Sequence, residues 1–281
     1  GDITAVGSEA GVFATTAASC TFIGRSAGRG ITGAKLTGND NTTVGASAGL
    51  VLQGAANANT FVGKSAGAAV TVGVENTLIG SLAGDALTDA DFNVAVGYGA
   101  LSTDTLGSRS VAIGRNALLS QNFTTATSSN NTAVGYETGR NTTTGIDNTL
   151  YGSNAGYAIT DADANTAVGR SALATNILGS NNTAIGYNAL NEANPATAVV
   201  THNTAVGWTA GLNVGTGISN TLIGSEAGDA LTNTNDNTAV GRLALSGDTL
   251  GTKSTAIGRG ALKVQNFTTA TDSHNTAVGY S

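Results

Sequence analysis

The sequence predicts an all-β fold, a parallel β-solenoid (β-roll) of about sixteen coils, most of them 17 or 21 residues long. A phrase, Asn-Thr-(Ala/Leu/Phe)-(Val/Ile)-Gly, recurs along the whole chain at a nearly constant spacing. The unit is too short to hold a core alone, and a helical repeat would need about 33 residues or more. Glycine and β-branched residues in every unit also disfavour a helix and favour short strands.

The glycine that closes each phrase marks the period. From residue 63 onward the steps are 17, 17, 17 and 21 residues, so a 72-residue block of four coils occurs three times. We therefore predict one continuous domain, with out-of-phase N-terminal coils over residues 1–62 and regular blocks over residues 63–281. The repeat-defining glycines of the blocks are Gly63, Gly80, Gly97, Gly114, Gly135, Gly152, Gly169, Gly186, Gly207, Gly224, Gly241, Gly258 and Gly279.

Composition excludes several classes of protein. Of 281 residues 11% are charged, and the net charge is −6, which argues against nucleic-acid binding. One cysteine excludes a disulfide framework and a cysteine-rich zinc site. The repeat contains no constellation of acid, base and nucleophile, so we predict that the protein is not an enzyme and needs no cofactor or metal.

The two apolar columns of the strand predict an oligomer. The Val/Ile column, in which Tyr151 is the one exception, is expected to fill the coil interior. Alternation along a strand then places the Ala/Leu/Phe column on the opposite face, which needs a second cover, most simply another copy of the chain. Alternatively, the Ala column is merely small and exposed. The Asn before each strand is expected to stack into a structural amide ladder.

The residue after each glycine is often large or charged and is expected to point outward. As a binding stripe it would stack on sugars or on a receptor. As a surface ladder it would only shield the coil edges, and this second interpretation is favoured. The candidate stripe comprises Tyr98, Arg115, Tyr136, Arg170, Tyr187, Trp208, Arg242 and Arg259.

The 21-residue coils carry four extra residues, which lie in segments 119–130, 191–202 and 263–274. Because the regular coils tolerate no change of length, these insertions are expected to leave the wall of the solenoid. They would form either binding loops or spacers and chain–chain contacts.

Two motifs resemble parts of known ligand sites, a phosphate-binding loop and a calcium turn, but the other residues of those sites are missing. Residues 63–65, Gly-Lys-Ser, resemble the end of a phosphate-binding loop, but the upstream glycine of that motif is missing. Asp89 and Asp91 return 72 residues later as Asp161 and Asp163, a spacing that calcium turns also use. Asx-turn chemistry explains these aspartates more simply.

The phrases "NTAVGY" and "STAIGRGAL" resemble the YadA-like head repeats of trimeric autotransporter adhesins, and equally the shaft repeats of phage tail fibres. The resemblance implies a left-handed β-roll wound as a homotrimer and exposed outside the cell, on a cell surface or a virion. Handedness and the number three come from the resemblance alone.

Together these features predict a structural segment of an extracellular fibre, an adhesin head or a tail-fibre shaft. It would form a stiff oligomeric rod, most simply a homotrimer, and support attachment to a surface or host. The alternatives are a module that binds a glycan or cell-surface receptor through the stripe and the loops, and a filament subunit that stacks end to end. We expect no nucleic-acid partner and no membrane insertion of this segment.

Overall fold

The computed structural model describes residues 1–280 and contains no helix within them. Sixteen strands, one from each copy of the five-residue phrase, run parallel and follow one another in chain order. The chain is therefore a parallel β-solenoid of about sixteen coils, as predicted. It comprises two compact units, Gly1–Thr144 and Gly145–Ser281. The predicted division at residue 62 stays a prediction.

The first unit contributes eight strands of the sheet. They are β1 (Ile3–Val6), β2 (Cys20–Ile23), β3 (Thr42–Val44), β4 (Thr60–Val62), β5 (Thr77–Ile79), β6 (Val94–Val96), β8 (Val111–Ile113) and β10 (Thr132–Val134). Each residue pairs with the same position of the phrase in the next coil, as Leu78 does with Ala95. Two further strands, β7 (Gly107–Ser108) and β9 (Thr127–Ser128), form a separate parallel pair.

The second unit repeats this arrangement. Its strands are β11 (Thr149–Tyr151), β12 (Thr166–Val168), β14 (Thr183–Ile185), β16 (Thr204–Val206), β17 (Thr221–Ile223), β18 (Thr238–Val240), β20 (Thr255–Ile257) and β22 (Thr276–Val278). Two short parallel pairs lie beside them, β13 (Gly179–Ser180) with β15 (Val199–Val200), and β19 (Gly251–Thr252) with β21 (Thr271–Asp272). Every short pair joins a 21-residue coil to the coil before it.

The coil interior holds the Ala/Leu/Phe column, so the predicted interior face was wrong. From β2 to β20 the middle residue of each phrase is fully buried, whereas Ile79, Ile185 and Ile223 are 38–39% exposed. Side chains alternate between the two faces of a strand, so the middle residue lies on the same face as the Asn two residues before it. That Asn is buried, and the middle residue is therefore buried with it. The idea that the Ala column is exposed is likewise wrong.

Two kinds of coil explain the 72-residue block. Four residues after the strand glycine stands either glycine, as at Gly84, or leucine, as at Leu101, and both adopt a positive φ. A glycine there accompanies a large strand residue in several coils: a Cβ on Gly84 would lie 2.8 Å from the side chain of Leu78. A leucine there always accompanies alanine in the strand, as Leu101 does Ala95. From residue 63 onward the order is glycine, glycine, leucine, leucine in all three blocks.

The repeated glycine is required by a close approach between coils. Gly80 has a φ of +136°, and a Cβ at that position would lie 2.4 Å from the carbonyl oxygen of Gly97. The same clash recurs from Gly7 to Gly114 in the first unit and from Gly152 to Gly258 in the second. No other residue fits this conformation and this distance together.

The predicted Asn ladder is present and buried. In the first unit Asn76 donates its amide to Oδ1 of Asn59 at 3.2 Å and to the carbonyl of Ala90 at 2.8 Å, while its own Oδ1 accepts from Asn93. The second unit repeats the pattern, as in the bond from Asn165 to Asn148 at 3.2 Å. The ladder satisfies both the side-chain amides and the backbone of consecutive coils.

A buried polar cluster replaces the ladder in some leucine coils. Fully buried Asp104 accepts hydrogen bonds from Gln121 Nε2 at 2.6 Å and from the backbone amides of Gly107 and Phe123. Gln121 also donates to Ser110, which stands in the Asn column. Asp248, Gln265 and Ser254 repeat these bonds 144 residues later, whereas the middle block has Asn176, Ala193 and Asn182.

Candidate interaction surface

The outward side of the strands forms an uncharged face in each unit, in which a row of threonines runs beside a row of valine and isoleucine. It consists of the second and fourth residues of the phrase, Thr (or Val) and Val/Ile, and includes the exposed Tyr151. None of these thirty-two positions carries a charge. We call this surface the strand face. Its β-branched side chains are held in register by backbone pairing, so it is regular as well as uncharged.

The residues directly after the strand glycines line one edge of the strand face, and we call this edge the downstream rim. The candidate stripe lies on it, as predicted, and points outward: Tyr98, Tyr136 and Trp208 are 49–53% exposed, and Tyr187 is 39% exposed. The rim contains the cations Arg25, Lys64, Arg115, Arg170, Arg242 and Arg259 and no acidic residue.

Aromatic and cationic side chains of the downstream rim stack on one another. In the first unit the Arg115 guanidinium lies over the rings of Tyr98 and Tyr136, at 5.9 and 5.6 Å from their centroids. In the second unit Arg170 lies over Tyr187, whose ring is stacked 6.4 Å from Trp208. Ring faces that contact a neighbour in the ladder are not free for a sugar, which supports the surface-ladder interpretation.

The opposite edge, which we call the upstream rim, was not singled out in the sequence. It consists of the residue before each buried Asn (or the residue that replaces it), and from Ser19 to His274 all have a φ between about +49° and +64°. Its acidic residues are Asp2, Asp40, Glu75, Asp147 and Asp236, and its cations are Arg109 and Lys253. The recurring position five residues before the strand glycine was the signal that would have found it.

Ionic contacts on the rims are local. Lys253 donates to Asp272 of the next coil, and this hydrogen bond lowers the pKa of Asp272 and raises that of Lys253. On the downstream rim Arg115 lies 3.3 Å from Glu137 Oε1. Both pairs are solvent-exposed in part, so they orient side chains more than they stabilise the fold.

The 21-residue coils leave the wall over only a few residues. In the first of the three insertions Thr124, Thr125 and Ala126 are exposed, but the chain returns to pair through β9, and Gln121 is buried. The second and third insertions behave alike at residues 196–198 and 268–270. The predicted excursion is therefore a short tip. Its binding role stays a prediction.

The two ligand-like motifs serve the backbone or the surface. Lys64 is an exposed member of the downstream rim. Asp91 Oδ1 accepts a hydrogen bond from the amide of Val74 at 2.8 Å, and Asp163 Oδ1 does the same for Ile146. Asn235 makes the equivalent bond to Ile218 at 2.9 Å, so the position does not need a charge. In the described part of the chain no three His, Cys, Asp or Glu side chains cluster as metal ligands would.

Two half-buried carboxylates lack a full set of partners. Asp85 and Asp229 occupy equivalent positions 144 residues apart, and in each the Oδ1 atom is buried without a hydrogen bond. Burial raises the pKa of both, and the nearby Glu226 raises that of Asp229 further.

Comparison with models of known protein families gave no match, and neither did comparison with curated protein sequences. The described residues include no helix that could span a lipid bilayer.

Proposed function

We propose that this protein is a structural segment of an extracellular fibre whose copies associate through the strand face. The observation that carries the proposal is that face: a regular β-branched surface without a charged residue, in a chain with thirty charged residues elsewhere. Large exposed apolar patches on soluble proteins mark surfaces that another molecule covers.

A second copy is the cover that suits this surface best. Every coil presents the same kind of residue at the same position of its strand, so a copy of the chain offers matching rows of Thr and Val/Ile along the face of each unit. Burial of apolar area contributes roughly 25 cal/mol per Å², so each coil adds a similar increment and the association strengthens with coil number.

The trimeric state, the position on a cell surface or virion and the role in attachment rest on the resemblance to YadA-like heads and tail-fibre shafts. A fibre built from stacked coils holds a binding tip or repeated loops away from the surface that carries it. Repetition along the fibre converts weak individual contacts into avidity.

Co-purification of two differently tagged copies tests the association. Co-expressed wild-type chains should be retained together on resin against either tag. The variant I185D/I223D puts two charges on the strand face, and it should keep its β-sheet circular dichroism but lose co-purification. A198D, at an exposed tip, is the matched control and should behave as wild type. Independent wild-type chains would contradict the proposal.

A glycan- or receptor-binding function is the second candidate, and Trp208 favours it. The next residue along the downstream rim is Ser225, so one face of the indole has no aromatic neighbour on the rim. A glycan array probed with wild type and W208A tests this candidate. Signals that W208A loses and Y136A retains would support it, and the absence of signals for wild type would contradict it.

A further inference from the structure

In each unit a serine of the downstream rim lies between an aromatic residue and a cationic residue. The two triplets, in the order of their coils, are Lys64, Ser81 and Tyr98 in the first unit and Trp208, Ser225 and Arg242 in the second. The serine is the smallest member of each triplet and leaves a gap above it. We call this gap a rim slot: its floor is the serine, one wall is aromatic and the other wall is cationic.

Backbone hydrogen bonds hold the three residues of each rim slot in register. In the first unit the amide of Leu82 donates to the carbonyl of Lys64 at 3.0 Å, and the amide of Gly99 donates to the carbonyl of Ser81 at 3.1 Å. The second unit has the equivalent bonds at 2.9 and 3.0 Å. Paired strands lie about 4.8 Å apart, so two walls separated by one coil are about 10 Å apart. Carbon atoms in contact are about 4 Å apart, so one ring fits between the walls.

The aromatic wall of each rim slot is held in place by the ladder on its other side. In the first unit the Arg115 guanidinium lies 5.9 Å from the ring centroid of Tyr98. In the second unit the Tyr187 ring is stacked 6.4 Å from that of Trp208, with 9° between the two planes. Both neighbours belong to the coil on the side away from the serine, so the ring face toward the slot has only a small side chain beside it. A side chain that is already oriented loses little conformational freedom when a ligand binds.

The cationic wall and the serine floor add polar groups. Lys64 is exposed and makes no ion pair with another described residue. The exposed Arg242 has its Nη2 atom 3.9 Å from Glu226 Oε1, at the limit of an ion pair, and Leu82 replaces this glutamate in the first unit. Both serines are half-buried, and their hydroxyls make no hydrogen bond to another described residue. Each slot therefore offers a cation and a hydroxyl beside the ring face.

We infer that each rim slot binds a pyranose ring that carries a carboxylate, as in a linear polysaccharide of uronic acid units. The apolar C–H face of the sugar stacks on the aromatic wall, its carboxylate accepts charge-assisted hydrogen bonds from the cation, and a sugar hydroxyl pairs with the serine. The inference rests on the glycan-binding candidate function and adds its sites and its class of ligand.

Tryptophan fluorescence tests the rim slot of the second unit in the full chain, because Trp208 is the only tryptophan. The probe is tetragalacturonate, and its fully methyl-esterified form, which keeps the rings and removes the charges, is the matched control ligand. We expect a saturable fluorescence change with the acid and an affinity about tenfold lower for the ester. Arg242→Gln should weaken binding of the acid about tenfold and remove the difference between the ligands. Lys253→Gln, on the upstream rim, is the control and should bind as wild type.

Ser225→Phe fills the rim slot with a ring of the chain itself. Other coils carry an aromatic residue at this rim position, as at Tyr136, so the variant should keep its β-sheet circular dichroism and lose the fluorescence response to the acid. Equal affinity of wild type for acid and ester, or unchanged binding of the acid by Arg242→Gln or Ser225→Phe, would overturn the inference and leave the glycan-binding candidate standing. No response of wild type to either ligand would also overturn the inference, and a glycan array without signals would overturn the candidate function with it.

Discussion

At the scale of single residues, the strand glycine is the most constrained position in each coil. Gly80→Ala combines a positive φ, which costs about 1–3 kcal/mol for a non-glycine residue, with a Cβ 2.4 Å from the Gly97 carbonyl. We expect it to lower the free energy of unfolding by more than about 3 kcal/mol. Gly33→Ala is the control, because Gly33 has a φ of +92° but no atom near its Cβ position. Urea unfolding of both measures the difference, and equal losses would show that coil spacing does not select glycine.

The Asn ladder makes a second prediction for single residues. Asn76→Ala leaves the buried amide of Asn93 and the carbonyl of Ala90 without their side-chain partner. Each unpaired buried group costs about 1–3 kcal/mol, so we expect a loss of about 3 kcal/mol in chemical unfolding. Asn181→Ala is the control, because it is exposed and its column already contains Ala164 with the same positive φ. If the two variants unfold at the same denaturant concentration, the ladder contributes nothing specific.

Asp85 and Asp229 predict a pH dependence of stability. Their pKa values in the folded state are raised above the usual 3.8, so the folded protein binds these protons more tightly than the unfolded chain does. Their contribution is therefore most favourable below 3.8 and is lost as pH rises through the raised folded values. D85N/D229N should remove this loss and unfold at higher urea concentration than wild type near neutral pH.

The pH profile is best read as the difference between wild type and D85N/D229N, because other carboxylates titrate in the same range. D89N supplies the control, since Asp89 is exposed. A double variant whose difference from wild type is the same at every pH would show that these two carboxylates do not titrate in the folding equilibrium.

At the scale of the coil, some coils fill the interior with a large strand residue, such as Leu78, and others with a large turn residue, such as Leu101. Leu78→Ala should cost about 2–5 kcal/mol by opening a cavity, and Gly84→Ala should cost stability by pressing on Leu78. In the double variant the new methyl group enters the vacated space. We expect its loss to be smaller than the sum of the single losses by about 1 kcal/mol.

The control for this cycle combines Gly84→Ala with Leu36→Ala, a buried leucine that does not contact Gly84. Those two losses should add, because distant sites are independent. If the stability losses of Leu78→Ala and Gly84→Ala also add in the double variant, the two positions do not compete for the same space in the coil interior.

The coil period was predictable from the sequence, and the direction of the side chains was not deduced correctly. Backbone pairing between coils requires coils of equal length and a glycine where two coils approach closely. Both requirements appear in the sequence as the regular spacing of Gly63, Gly80 and the equivalent glycines. The two apolar columns look alike by hydrophobicity, so the Val/Ile column was assigned to the interior. The buried Asn, two residues before the Ala, carried the information that decides the face.

The buried cluster at Asp104 was missed because its partners are distant in sequence. Gln121 lies 17 residues away, and each residue taken alone looks like an ordinary polar turn residue. The available signal was joint variation: Asp, Ser and Gln occur together in the first and third blocks, and Asn176, Asn182 and Ala193 occur together in the middle one. Burial of an unpaired carboxylate is costly, which explains why these residues change as a set.

At the scale of the whole molecule, charge is kept off the strand face and sorted between its two edges. The fold alone does not require this, because the outward positions of a solvated strand accept Lys, Glu or Arg. An uncharged face suits an interface between copies of the chain, and cations along one rim suit an anionic ligand. The candidate stripe was predicted from the sequence, whereas the upstream rim emerged only when the structure showed where the strand begins.

The mass of the wild-type chain in solution, measured by light scattering during size-exclusion chromatography over a dilution series, tests the association through the strand face most directly. We expect a particle of two or more chains, with a mass of at least twice the 27.5 kDa of one chain, that persists on dilution. A folded particle of 27.5 kDa at every concentration would show that water covers the strand face, and would contradict association through it.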